Sequence, residues 1–161
     1  MTPSAVTDPY AGWAAFQLHL VKLVAPLTPD QLRLRPAPHM RTAGMLAAHL
    51  VATRAGWWHD RMGEGGPSIA EIARWDEADA HLRLGAGDLV RALHETWALL
   101  EGTITAWGDA ELDVEFGEAA RPARRPRSRR WIVWHVLEHD LFHGGELSQA
   151  LGMHGVPGID L

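Results

Sequence analysis

The chain contains no cysteine. Disulfides, iron–sulfur clusters, cysteine-type zinc ribbons and a protein-borne thiol nucleophile are therefore excluded together. Lysine is almost absent: Lys22 is the only one, and arginine supplies the other positive charges. No apolar run reaches the roughly eighteen residues that would span a bilayer. The opening "MTPSAVTDPYAGW" has neither the basic start nor the apolar core of a secretory signal. These absences suit a reducing cytoplasm and set the expectation of a cytoplasmic protein without a membrane partner. The formal net charge of −5 argues against a general nucleic-acid binder.

What remains suits one domain over residues 1–161, large enough to close a core without covalent staples. Four long segments have helical periodicity, and none alternates convincingly as a strand. The first runs from Asp8, a good N-cap followed by proline, to about Ala25. Trp13, Phe16, Leu20 and Leu23 or Val24 fall on its apolar stripe. A proline-rich linker, "PLTPDQLRLRPAPHMR", leads to a second helix capped by Thr42 and continuing to about Met62, where "GEGGP" stops it. A third helix is expected from about Glu77 to Trp107, with Gly85 and Gly87 fraying its start. The fourth spans Ser128 to about Leu151. Within the intervening polar loop, "ELDVEF" alternates as a short extended piece would. Four helices with loops of this size give an all-α fold, a four-helix bundle.

The stretch "WIVWHVLEHDLFHGGELSQALGMHG" holds His135, His139 and His143 at four-residue intervals on a helix apolar enough to be core. Residues four apart on a helix lie about 40° apart around the axis and about 6 Å along it. His139 and His143 can thus reach one ion over a shared face. The outer pair, His135 and His143, stands roughly 12 Å apart, so the three seldom bind one ion together. A further ligand must come from another element, and His49 is the best candidate. It sits inside the second helix, and the small residues Ala52 and Gly56 near it leave space for a substrate. The ordinary alternative for each is a core imidazole satisfied by a carbonyl or hydroxyl; among ten histidines, an H-x-x-x-H pair also arises by chance. His19, His39, His59, His81, His94 and His154 are read as surface, cap or packing residues. His135 stands open between a hydrogen-bond partner behind the ligands and a ligand replacing His139.

Two metalloprotease patterns overlap the same helix. "HVLEH" fits the inverted zincin motif with Glu138 as base, but only 22 residues follow His139 to supply the distant acidic ligand. "HDLFH" offers Asp140 where a zincin has glutamate, and the shorter acid would reach a metal-bound water poorly. Neither has a convincing third ligand.

The segments "LTPDQLRLRP" and "RTAGMLAAHLVA", followed at the right separation by "EHDLFHGGELSQALGMHGVPGIDL", resemble the DinB/YfiT-like family of metal-dependent enzymes over most of the chain. The resemblance implies a four-helix bundle holding one divalent ion, often zinc or nickel, through His49, His139 and His143. It also implies a homodimer and a thiol-dependent transferase or isomerase using a low-molecular-weight thiol such as bacillithiol or mycothiol. Two positions depart from the pattern: Glu146 stands where glutamine is common, and Gly144 where arginine is frequent. The missing arginine weakens the case for an anionic substrate held there.

Three neutral imidazoles leave coordination positions open, as catalytic ions require. With no cysteine in the chain, a thiol nucleophile must arrive as a cosubstrate, and it would attack a small electrophile. Hydrolysis is the nearest competitor, and a stress-response protein whose ion only stabilises the bundle is the non-catalytic alternative. Glu146 or His135 is the expected proton carrier. The run "RPARRPRSRR" is read as a solvated mobile loop, with anion attraction as its functional alternative. Most of the eight tryptophans are assigned to the core.

Overall fold

A computed structural model describes residues 9–77, 79–117 and 125–161. Four long helices, α1 (Pro9–Val24), α3 (Ala43–Ala55), α5 (Ala86–Ala106) and α7 (Arg129–Gly152), form the bundle. They pack as a ring in which α1 meets α5, α5 meets α3, α3 meets α7 and α7 returns to α1. Shorter pieces connect them: α2 (Pro29–Leu32), α4 (Pro67–Ile72), a 3₁₀ turn (Ala80–Arg83) and α6 (Asp109–Leu112). Among the described residues the only strands are β1 (Glu115–Phe116) and β2 (Arg127–Ser128), paired antiparallel. No helix among them is long and apolar enough to cross a membrane.

Local signals account for most boundaries. Thr42 caps α3 by accepting from the Met45 amide at 3.1 Å, and Ser128 caps α7 by accepting from the Trp131 amide at 3.2 Å. The expected cap of α1, Asp8, lies outside the described residues. Buried residues recur at helical spacing: Leu89, Ala92, Leu93, Thr96 and Leu100 on α5, and Ile132, Val136, Asp140, Gly144, Leu147 and Leu151 on α7.

Four sequence expectations need correction. The third helix does not begin at Glu77. Gly85, whose amide donates to the Asp88 carboxylate at 3.0 Å, caps a later start at Ala86, and a 3₁₀ turn precedes it. The proline-rich linker contains α2, because Thr28 and Gln31 form a reciprocal capping box around Pro29. "ELDVEF" is extended only at its end, the earlier part being the short helix α6. The second helix reaches Arg61 as expected, but Gly56–Arg61 widens into a π-helical segment. Gly63 and Gly65, at φ 75° and 85°, then turn the chain in a conformation that side-chained residues avoid.

The basic run is also corrected where it is described. Arg127 lies in β2 with its guanidinium over the Trp131 ring at 4.4 Å. Arg129 is nearly buried, covers the rings of Trp107 and Phe116, and donates to the Glu111 carbonyl at 2.9 Å. Arg130 pairs with Asp109 and Asp113. These arginines fasten the start of α7 to α6 and β1. Residues 121–124 of the run lie outside the described residues.

The core has two connected regions. One gathers Leu20, Leu50, Val51, Leu89, Leu93 and Leu147 from all four helices. The other centres on Trp13, Trp58, Leu100, Ile132 and Val136. Trp13, Trp58 and Trp75 are buried as assigned, whereas Trp134 is 57% exposed.

One polar group crosses this core. Arg54 of α3 and Asp140 of α7 are both fully buried, and their ion pair closes at 2.7 Å. Asp140 also accepts from Trp13 Nε1 at 2.7 Å, and Arg54 donates to Gln17 Oε1 at 2.8 Å. Gln17 Nε2 in turn reaches the Leu93 carbonyl at 3.0 Å. The network therefore ties α1, α3, α5 and α7 together. A buried charge without such partners would cost several kcal/mol, of order 3–5. Asp140 is thus a core residue, and its zincin-like placement in "HDLFH" has no counterpart in the fold.

Candidate metal centre

The contact between α3 and α7 that buries Arg54 and Asp140 also fixes the histidines. Residue 139 immediately precedes Asp140 and residue 143 follows it by three, so both imidazoles emerge at the edge of the buried stripe of α7. His49 lies on α3, within the same seam. Its Nε2 stands 3.0 Å from His139 Nε2. The ring centroids of His49, His139 and His143 lie 4.3–4.7 Å apart pairwise. One nitrogen from each of the three falls within 4.8 Å of the others, a group able to hold an ion.

Carboxylates set the tautomers of two rings. Asp76, in the turn after α4, lies 2.9 Å from His49 Nδ1. Glu146, one turn beyond His143, lies 2.6 Å from His143 Nδ1. A carboxylate can only accept, so each Nδ1 carries the proton and each Nε2 keeps a free lone pair. The third ring, His139, has Thr53 Oγ1 at 3.3 Å from its Nε2, while its buried Nδ1 has no hydrogen-bond partner.

Burial keeps two of the rings unprotonated, which is the form that ligates a metal. Burial pushes His139 down to about 3, reinforced by the neighbouring charges of His143, His49, His135 and Arg41. Burial also lowers His49, and it outweighs the hydrogen bond to Asp76, which acts the other way. At neutral pH both rings are uncharged, so each keeps one unprotonated nitrogen; in His49 this is the Nε2 that faces the other rings, and it accepts from His139 Nε2 at 3.0 Å. Nitrogen donors in this number suit a divalent transition ion with at least one position left for another ligand. The residues therefore fit the group that the sequence reading anticipates.

The other candidates separate. His135 is not part of the group: its ring centroid is 6.4 Å from that of His139. It is stacked on Trp131 at 4.8 Å, set edge-on to Trp57 at 5.3 Å, and paired with Glu138 at 3.8 Å. Glu146 touches both His143 and open space, since it lines a cleft of about 590 Å³ with His143, Met40, Arg41, Leu46 and Met153. Of the two small residues expected to leave space near His49, Ala52 is packed into the core, and neither lines this cleft. Gly144 faces α1. A Cβ there would come within 2.6 Å of the Phe16 ring, so no arginine fits at this position.

Sequence reasoning missed Asp76 and the pair Arg54–Asp140. Asp76 lies 27 positions from His49 in a turn, where no helical periodicity links the two. Arg54 and Asp140 did carry a signal: charged residues inside two otherwise apolar stripes demand partners.

Bundle and centre define a helical protein with a three-histidine, carboxylate-supported site at one interhelical seam. The chain belongs to the DinB superfamily, whose profile matches residues 15–147. Among solved structures it is similar to a DinB-like protein from Bacillus cereus ATCC 10987. The two superpose with a TM-score of 0.70 at 20% identity, over 94% of this chain and 95% of the other. Comparison with curated proteins gave no match.

Proposed function

We propose that the protein is a metal-dependent enzyme of the bundle type that joins a low-molecular-weight thiol to a small electrophile, or uses the thiol to isomerise one. The carrying observation is the meeting of three inward-facing imidazoles, two of them aligned by carboxylates, with a cleft of about 590 Å³. Among the described residues no fourth His, Asp or Glu joins the group, which favours a reactive ion over a purely structural one. His49, His139 and His143 would hold zinc or nickel. Such an ion supplies Lewis acidity, lowering the pKa of a thiol or water that reaches it.

The chain's own residues do the rest. Asp76 and Glu146 hold two rings in the ligating tautomer. Glu146 also borders the cleft, so it would take the proton from sulfur as the S–C bond forms and the electrophile's leaving group departs with its bonding pair, chloride in the case of a chloroarene. His135, stacked on Trp131, edge-on to Trp57 and outside the cleft lining, packs behind His139. With no cysteine in the chain, the sulfur must come from a cosubstrate. Exposed Trp134, Leu141 and Phe142 on α7 support a homodimer, and the absence of cysteine is in keeping with a cytoplasmic setting.

The test is to load the protein with zinc or nickel and follow conjugation of a chloronitrobenzene with glutathione, mercaptoethanol and cysteine. Thiol-dependent, metal-dependent turnover that is lost in His139→Ala is the expected result. Ester or amide hydrolysis without any thiol conjugation would replace the transferase reading with a hydrolase. Metal binding without turnover of either kind would leave a metal-stabilised, non-catalytic protein.

A further inference from the structure

The cleft beside His143 has a chemical character of its own. Its walls are largely apolar, with Met40 from the α2–α3 connection, Leu46 from α3 and Met153 from the end of α7. Met40 and Met153 are 43% and 62% exposed, and thioether side chains adapt to ligands of varied shape. Of the charged groups lining the cleft, Glu146 is engaged with His143. The other is Arg41, directly before the Thr42 cap of α3. Most arginines of the described residues have assigned work: Arg33 pairs with Asp30, Arg35 donates to the Pro38 carbonyl, and Arg54, Arg74, Arg91 and Arg130 bind carboxylates. Among the described residues Arg41 has no hydrogen-bond or ion-pair partner.

We infer that Arg41 selects the molecule entering this cleft, which is a small amphipathic carboxylate: its apolar body lies against Met40, Met153 and Leu46, and its acid group binds the guanidinium. This deepens the proposed function and rests on the reading that the reacting molecule enters here. A cavity of this size takes one drug-sized ligand, and apolar walls with one placed charge fix its orientation. An arginine fork holds a carboxylate by two parallel hydrogen bonds. Anchoring the acid at Arg41 leaves the rest of the ligand directed along a wall that ends at His143 and Glu146. The position also answers the loss at residue 144: the cleft's cation comes from the α2–α3 connection and not from α7.

Calorimetric titration with phenylbutyrate and its uncharged isostere phenylbutyramide tests this, in both the metal-free and the zinc-loaded protein. The acid should bind roughly tenfold tighter than the amide in both forms, the size of one charge-assisted pair partly screened by water. Arg41→Gln should reduce that preference to less than about twofold and leave the amide's affinity unchanged. Arg35→Gln, which removes a nearby guanidinium already bound to a carbonyl, should keep the preference. Methyl resonances of Met40 and Met153 should shift on titration. No binding of the acid, equal affinity for acid and amide, a preference that survives Arg41→Gln, or methyl shifts elsewhere would each overturn the inference. The metal-free arm reads the cleft alone, so failure of the histidines to bind zinc would sink the proposed function and leave this result standing.

Discussion

Replacing Asp140 with asparagine keeps its shape and removes its charge, in a place where every neighbour depends on that charge. Arg54 Nε contacts both carboxylate oxygens at 2.9 and 3.1 Å, and Nη2 reaches one at 2.7 Å. Both side chains are fully buried, so water cannot stand in for the lost partner. The variant leaves the guanidinium without a counter-charge in the core, with one neutral amide oxygen at 140 beside Gln17 and Thr96 to accept from it, and an NH2 where the second carboxylate oxygen stood. Breaking one side of such a pair costs about 3–5 kcal/mol. For a domain of this length each kcal/mol lowers Tm by about 2–4 °C, giving a drop of about 6–20 °C. Urea and thermal unfolding followed by circular dichroism measure this directly. The paired variant Arg54→Met with Asp140→Leu removes both charges and should be more stable than the sum of the two single losses, by at least about 2 kcal/mol. Its recovery stays incomplete because Trp13 Nε1 and Gln17 Oε1 lose their partners too. An Asp140→Asn protein within about 1 kcal/mol of the parent, or additive losses in the double variant, would refute the role given to this network.

Asp76→Asn should weaken zinc binding about 10–100-fold in competition with a chromogenic chelator, with the fold unchanged, because asparagine no longer fixes the His49 tautomer as strongly. The metal-free protein should lose stability as pH falls below 6.5. His139 is held down to about 3 in the fold, so between those values the unfolded chain binds the extra proton and the native state does not. Urea titrations at neutral and mildly acidic pH read the sign, and greater stability at the acidic value would contradict it. Gly144→Ala should cost about 1–3 kcal/mol by overpacking against Phe16 and Leu20, measured by chemical denaturation.

The bundle was legible because its determinants are local. Thr42, Ser128 and the apolar stripes of α1 and α7 announce themselves within a few residues. The histidine pair on α7 was equally local, four positions and one turn apart. His49 stands on a second helix with no sequence spacing that ties it to the pair, and the fold brings its ring against them. The start of α5 differs from the expected Glu77 because helix formers such as Glu77 and Ala80 mask a glycine cap whose effect depends on Asp88. The π-helical turn at Gly56–Arg61 left no periodic mark. Asp76 and Arg41 were out of reach for a different reason: each stands in a connection whose path is set by tertiary packing, and sequence spacing carries no trace of which imidazole or cleft it meets.

That division has a practical side. The imidazoles ride on helices clamped from within by Arg54 and Asp140, while Asp76 and Arg41 are lent by turns outside the clamp. Swapping those turns between homologous bundles would retune affinity for the ion and choice of guest separately, with the frame left alone. Site and scaffold can here be edited in different places.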